Sequence, residues 1–162
     1  MKVLFFSLIF VVLLLFQLTF ANLMAIYEIK PDFILIFVIY LSLHYGRLWG
    51  SGAGFLMGVI EDNFLVMLFG LNALCKSLVG FFVARLSWRW TGRAITDGGL
   101  LLFVAALVHD FLFNWIYAFG SEVGVVYILF RYALPGAVYT AIIGMMITAI
   151  FPGFLQVSHE ED

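Results

Sequence analysis

The chain has 162 residues, of which 65% are hydrophobic, 19% aromatic and only 11% charged, with a net charge of −2 and a mean hydropathy of +1.13. Soluble domains are about half apolar and about a quarter charged, so these values describe a polytopic membrane domain and leave no length for a second, soluble one. They also exclude a basic footprint for nucleic acid, and the single cysteine, Cys75, excludes an intrachain disulfide or a cysteine-based metal site.

Spanning the hydrocarbon takes about 20 apolar residues, and six runs satisfy or approach that length. Val3–Ala21 follows Lys2 and exceeds the usual apolar core of a signal peptide, so it reads as a retained first span. Asp32–Gly46 opens after Pro31, and Leu48–Asp62 follows at once. Both are short, so together they suggest a tight hairpin with one end sunk in the protein. The remaining spans are Leu65–Leu86, Gly98–Phe119 and Val123–Phe151. The last, about 29 residues, is either tilted or bent near Pro135–Gly136. Pro152 and Gly153 stop it, and the acidic tail to Asp162 reads as frayed. The expected fold is an all-α membrane protein, a compact bundle of about six transmembrane helices forming a single domain over 1–162.

Orientation follows from Lys and Arg near the span ends. With the N-terminus in the cytoplasm, Lys2, Arg47, Arg85, Arg89 and Arg93 fall inside and only Lys30 outside. Both termini are then cytoplasmic, and Ser87–Asp97, with Trp88 and Trp90 as interfacial anchors, is the main inner loop. Arg47, Arg85, Arg89 and Arg93 read as topology determinants, with anionic lipid or a cytoplasmic partner as the alternative contact for the last three.

The stretch Gly46–Asp62 is the most informative one. Gly46, Gly50, Gly54 and Gly58 recur every four residues, and Asp62 continues the step. On a helix these positions stack near one face. In water so many glycines weaken a helix; in a bilayer they let helices approach closely. The ladder therefore reads as a close-packing face, within the bundle or against a partner.

Charges inside spans cost roughly 2.5–3.5 kcal/mol each at the bilayer centre, so they normally face the interior and pair. Asp62, Lys76, Asp110 and Arg131 form the expected polar cluster. At about 1.5 Å per residue, Asp110 and Arg131 lie at similar depths and could pair, while Lys76 could reach Asp62 or Asp110. The set reads either as buried ion pairs fixing helix register or as an outward-facing site for a small ligand or partner helix. No catalytic residues are assigned. Ser51 and His109 are parts that an intramembrane serine protease would use, but they fall at different depths. His109 beside Asp110 does not make a metal site, and no phosphate-binding motif is present.

Several segments in order resemble the rod shape-determining protein MreD family. They are Pro31-Asp32, Gly54-Phe-Leu-Met-Gly58-Val-Ile-Glu-Asp62, Gly70-Leu-Asn72-Ala-Leu-Cys-Lys76-Ser-Leu-Val-Gly80, His109-Asp110 and Leu134-Pro135. The resemblance covers almost the whole chain. It implies a non-enzymatic, cofactor-free, multi-pass subunit of the cell-elongation machinery in the bacterial inner membrane. Its implied partners are MreC directly, and MreB filaments and the peptidoglycan polymerase/transpeptidase pair indirectly. It also implies a fold similar to the substrate-binding subunits of energy-coupling-factor transporters, which keeps a vitamin or small-molecule transporter subunit open as the alternative function.

Overall fold

The computed structural model describes residues 2–23, 25, 29–64, 68–86, 95–151 and 154. Most of the inner loop expected at Ser87–Asp97, with Trp88, Trp90, Arg89 and Arg93, and the tail after 154 lie outside the described residues, as do Pro152 and Gly153. The regular structure is helical: α1 Lys2–Leu23, α2 Phe33–Asp62, α3 Leu71–Leu86, α4 Ile95–Tyr117, α5 Val125–Ile128 and α6 Leu134–Ile150, with a π-helical turn at Leu129–Ala133 joining the last two. Among the described residues, Asp97–Tyr117 and Val125–Ile150 are long and apolar enough to cross a membrane, and Phe33–Asp62 is so by total length and composition only.

α2 is a hairpin of two helical limbs joined at Gly46. At Gly46 the backbone turns to φ 79° and ψ −171°, a region essentially confined to glycine. Beyond it the chain folds back: a Cβ on Gly50 would lie 2.9 Å from the Cα of Ser42, whereas eight residues along a straight helix are about 12 Å apart. Gly46 is thus the turn and not a rung of the ladder, a correction to the sequence expectation. It has nothing within 4 Å of an added Cβ. The limbs, 33–45 and 47–62, are about 20 and 24 Å long, short of the roughly 30 Å hydrocarbon core.

The first limb is the centre of the bundle. Ile34, Leu35, Val38 and Ile39 are fully buried on every side of it, as expected of a helix that is apolar all round. Leu35, Ile39 and Leu43 meet Val79 and Val83 of α3, Leu102 and Ala106 of α4 and Ala137 and Ala141 of α6. On the opposite side, Ile34, Phe37 and Leu41 meet Phe10 and Leu14 of α1.

The second limb runs antiparallel to α3 through the ladder. A Cβ on Gly54 would stand 2.6 Å from the carbonyl carbon of Lys76, one on Gly58 2.6 Å from that of Asn72, and one on Gly80 2.7 Å from that of Gly50. Backbone therefore touches backbone along three helical turns. Gly50, Gly54 and Gly58 sit inside the bundle, against α3.

α3 starts at Leu71, later than the expected Leu65, after a turn in which Gly70 takes φ 94°. The last span carries its π-helical turn, Leu129–Ala133, just before Pro135, which removes a backbone donor and crowds the preceding turn. The Leu134 N–H reaches five residues back to the Leu129 carbonyl, the π-type bond that accommodates it.

Candidate functional site

Five elements meet at the open end of the hairpin, where the chain enters α2. Asp32 caps that helix, its Oδ1 accepting the Leu35 N–H at 2.7 Å. Its backbone N–H donates to Thr140 Oγ1 of α6 at 3.2 Å. Gln17 of α1 grips both neighbours: Nε2 donates to the Pro31 carbonyl at 3.2 Å and Oε1 accepts the Phe33 N–H at 3.0 Å. One side-chain amide thereby satisfies the Phe33 N–H, which the helix start leaves open, and the Pro31 carbonyl just before it.

The second carboxylate oxygen of Asp32 takes the ammonium of Lys76. Nζ donates to Asp32 Oδ2 at 2.7 Å and to Asn72 Oδ1, one turn earlier on α3, at 3.3 Å. It also lies 2.7 Å from Glu61 Oε2. That contact is ionic rather than directional, since this oxygen has no hydrogen-bond partner among the described residues. The Lys76 side chain is completely buried, so the two carboxylates replace the water it has lost.

Glu61 and Asp62 point different ways, as consecutive residues on a helix must. Asp62 turns to the start of α3. Its Oδ2 accepts the N–H groups of Gly70 and Ala73 at 3.0 and 3.1 Å, and its Oδ1 that of Asn72 at 3.1 Å. A helix start leaves such N–H groups unpaired and favours negative charge, so Asp62 caps α3 from another helix. The close approach at Gly58 is what brings the two backbones near enough for this.

On α4, His109 Nδ1 lies 3.0 Å from Asp110 Oδ1. With Asp110 ionised the contact places the ring proton on Nδ1, leaving Nε2 an acceptor; Nε2 is buried without a partner among the described residues. A Cβ at Gly136 of α6 would strike Asp110 Oδ2, so a glycine is what admits this carboxylate between α4 and α6. α4 continues eight residues past His109 to Tyr117, about 12 Å. The polar core therefore lies well below that end of the bundle.

Of the four residues expected in one cluster, Lys76 stands at the centre and Asp110 beside it. Asp62 serves the α3 N-terminus instead of Lys76. Asp110 takes the His109 ring as its hydrogen-bond partner, and the guanidinium of Arg131 lies 5.2 Å from the Tyr132 ring centroid. Equal depth along two helices says nothing about which face each side chain occupies, and that is where the Asp110–Arg131 expectation went astray. The expected cluster omitted Gln17, and also Asp32 and Glu61, although both stand in the segments that carry the resemblance. The signal for Asp32 was its position as an N-cap just after Pro31.

Ser51, the serine considered as a nucleophile, shares a hydrogen bond of 2.9 Å with Ser77 across the α2–α3 contact. Of the arginines singled out, Arg47 begins the second limb and Arg85 lies in the last turn of α3. Among the described residues no group of three or more His, Cys, Asp or Glu could hold a metal ion.

A core of this kind, capped carboxylates around one buried lysine, fits a structural clamp. The family model described as rod shape-determining protein MreD matches residues 1–158. The chain belongs to the MreD family. Membership gives it a role in determining rod shape, in a family of shape-determining membrane proteins and not of enzymes. Its apolar helices agree with a membrane location. No curated protein matches the chain, and no solved structure does. In this MreD-family chain the segments that carried the resemblance have physical work: Pro31-Asp32 starts the hairpin, Gly54 to Asp62 lays it on α3, and Asn72 to Lys76 closes the core.

Proposed function

We propose that the chain is a non-catalytic scaffold subunit of the cell-elongation machinery, crossing the bacterial inner membrane as a six-span bundle with both termini in the cytoplasm. In this reading it binds MreC and, through it, links MreB filaments to the enzymes that polymerise and cross-link lateral wall. The supporting observation is the family match over nearly the full chain. The clamped core fits the role, because its ionic groups are spent on one another and on helix ends, which favours a rigid body presenting lateral surfaces.

Those surfaces differ from the glycine ladder, which α3 already covers. The other side of the second limb is open: Leu48 is 90% exposed, Leu56 64%, and nothing lies within 4 Å of an added Cβ at Gly52. A partner's single span can pack closely at such a small residue.

The test is co-purification with MreC in mild detergent. The wild-type pair is expected to stay together, and Gly52→Leu to weaken the complex while the chain's own melting temperature holds. Failure of the wild-type chain to retain folded MreC would overturn the partner assignment. Full retention by Gly52→Leu would remove this face from the contact.

A further inference from the structure

A second surface is built differently. Between α3 and α4 a groove of about 260 Å³ opens to the outside of the bundle. Leu78, Phe82 and Leu86 form one wall and Leu101, Val104 and Val108 most of the other. The wall residues Phe82, Leu86, Val104 and Val108 are 44–54% exposed.

Three features decide what fits there. The first is length. From Leu78 to Leu86 is about 12 Å of helix, and from Leu101 to Leu112, the last lining residue on α4, about 16 Å. One leaflet of the hydrocarbon core is about 15 Å thick. The second is the lining. A partner helix seeks small residues that let backbones meet, and here Ala105 alone is small among bulky side chains. Gly54, Gly58 and Gly80 are spent on the α2–α3 contact, and no glycine lines this groove. The third is charge. Arg85 is exposed in the last turn of α3, next in sequence to the wall residue Leu86, and has no ion-pair partner among the described residues.

We propose that the α3–α4 groove is a binding site for one anionic phospholipid, its acyl chain lying along the groove and its headgroup phosphate at Arg85. The site needs only that the bundle lies in a bilayer. It does not depend on the partner reading above or on which side Arg85 faces.

The experiment is native mass spectrometry of the full chain released from vesicles of phosphatidylglycerol and phosphatidylethanolamine in equal parts. The wild type is expected to retain one phosphatidylglycerol. A basic side chain near an anionic surface contributes about fivefold in affinity, so Arg85→Gln should lower the phosphatidylglycerol preference by about that factor. Val108→Trp fills the groove from an exposed position and should lose the lipid whatever its headgroup. Phe82→Ala removes a wall without adding bulk and should weaken retention likewise, a second readout should the tryptophan variant fail to fold. Retention of no lipid by the wild type overturns the proposal. So does Arg85→Gln with unchanged preference, which removes the anionic assignment. Unchanged retention in both groove variants leaves a headgroup contact alone and overturns the seat for the chain.

Discussion

Replacing Lys76 by methionine removes one charge and almost no volume, so its effect isolates the ionic clamp. Asp32 Oδ2 and Glu61 Oε2 each lie 2.7 Å from Nζ, so these oxygens are no more than twice that distance apart. Without the lysine, two full charges about 5 Å apart repel by about 3 kcal/mol at an effective dielectric of about 20. Repulsion of that order, or the proton uptake that relieves it, is what the lysine prevents. Breaking one side of a buried pair typically costs about 3–5 kcal/mol, whereas replacing all members by neutral groups is often nearly free. For a chain of this size that corresponds to a fall in melting temperature on the order of 10 °C. The assay is thermal unfolding in detergent, read by size-exclusion fluorescence. Lys76→Met should melt early, and adding Asp32→Asn and Glu61→Gln should restore most of the loss. The asparagine still offers an oxygen to the Leu35 N–H. If Lys76→Met melts with the wild type, or the triple variant falls below it, the clamp is not what holds this end of the bundle.

Four further substitutions address the backbone. Gly58→Ala should destabilise strongly, because its Cβ collides with Ala73 backbone, while Gly52→Ala, with open space, should be neutral or gain up to about 1 kcal/mol; paired melting curves decide, and equal effects would refute the close contact. Asp62→Ala should cost about 1–2 kcal/mol as a lost cap, and hydrogen exchange should speed at the amides of Gly70, Asn72 and Ala73; unchanged exchange there would contradict the capping role. Gly46→Ala should cost about 1–3 kcal/mol through backbone strain alone, although an added Cβ meets nothing within 4 Å. Gly46→Ala with wild-type melting would mean that the reversal lies elsewhere.

Much of the fold could be read before any coordinates. Apolar runs announce membrane helices because water is absent and each backbone group must bond within its own segment. The four-residue glycine step announced a close contact, and two adjacent short runs announced the hairpin. These are local properties, set by side-chain size and by the distance a helix rises per residue.

Which glycine turns and which ones pack is a different kind of question. Gly46 and Gly50 are chemically identical and four residues apart, yet one bends the chain and the other lies against Gly80. The choice belongs to the bundle, since reversal at Gly46 brings Asp32, Glu61 and Lys76 to a single level. The same holds for the ionic partners. Chain order gave the depth of each charge but not its azimuth, so it offered Lys76 either Asp62 or Asp110, and Asp62 is found under the start of α3. What the amino-acid sequence determined alone was that this chain must fold inside a membrane and where its helices must touch without side chains between them. What only the tertiary structure decided was which carboxylate meets the lysine. A buried charge is satisfied by whatever groups the packed helices bring within about 3 Å, and helix packing acts over residues 14 to 108 positions apart.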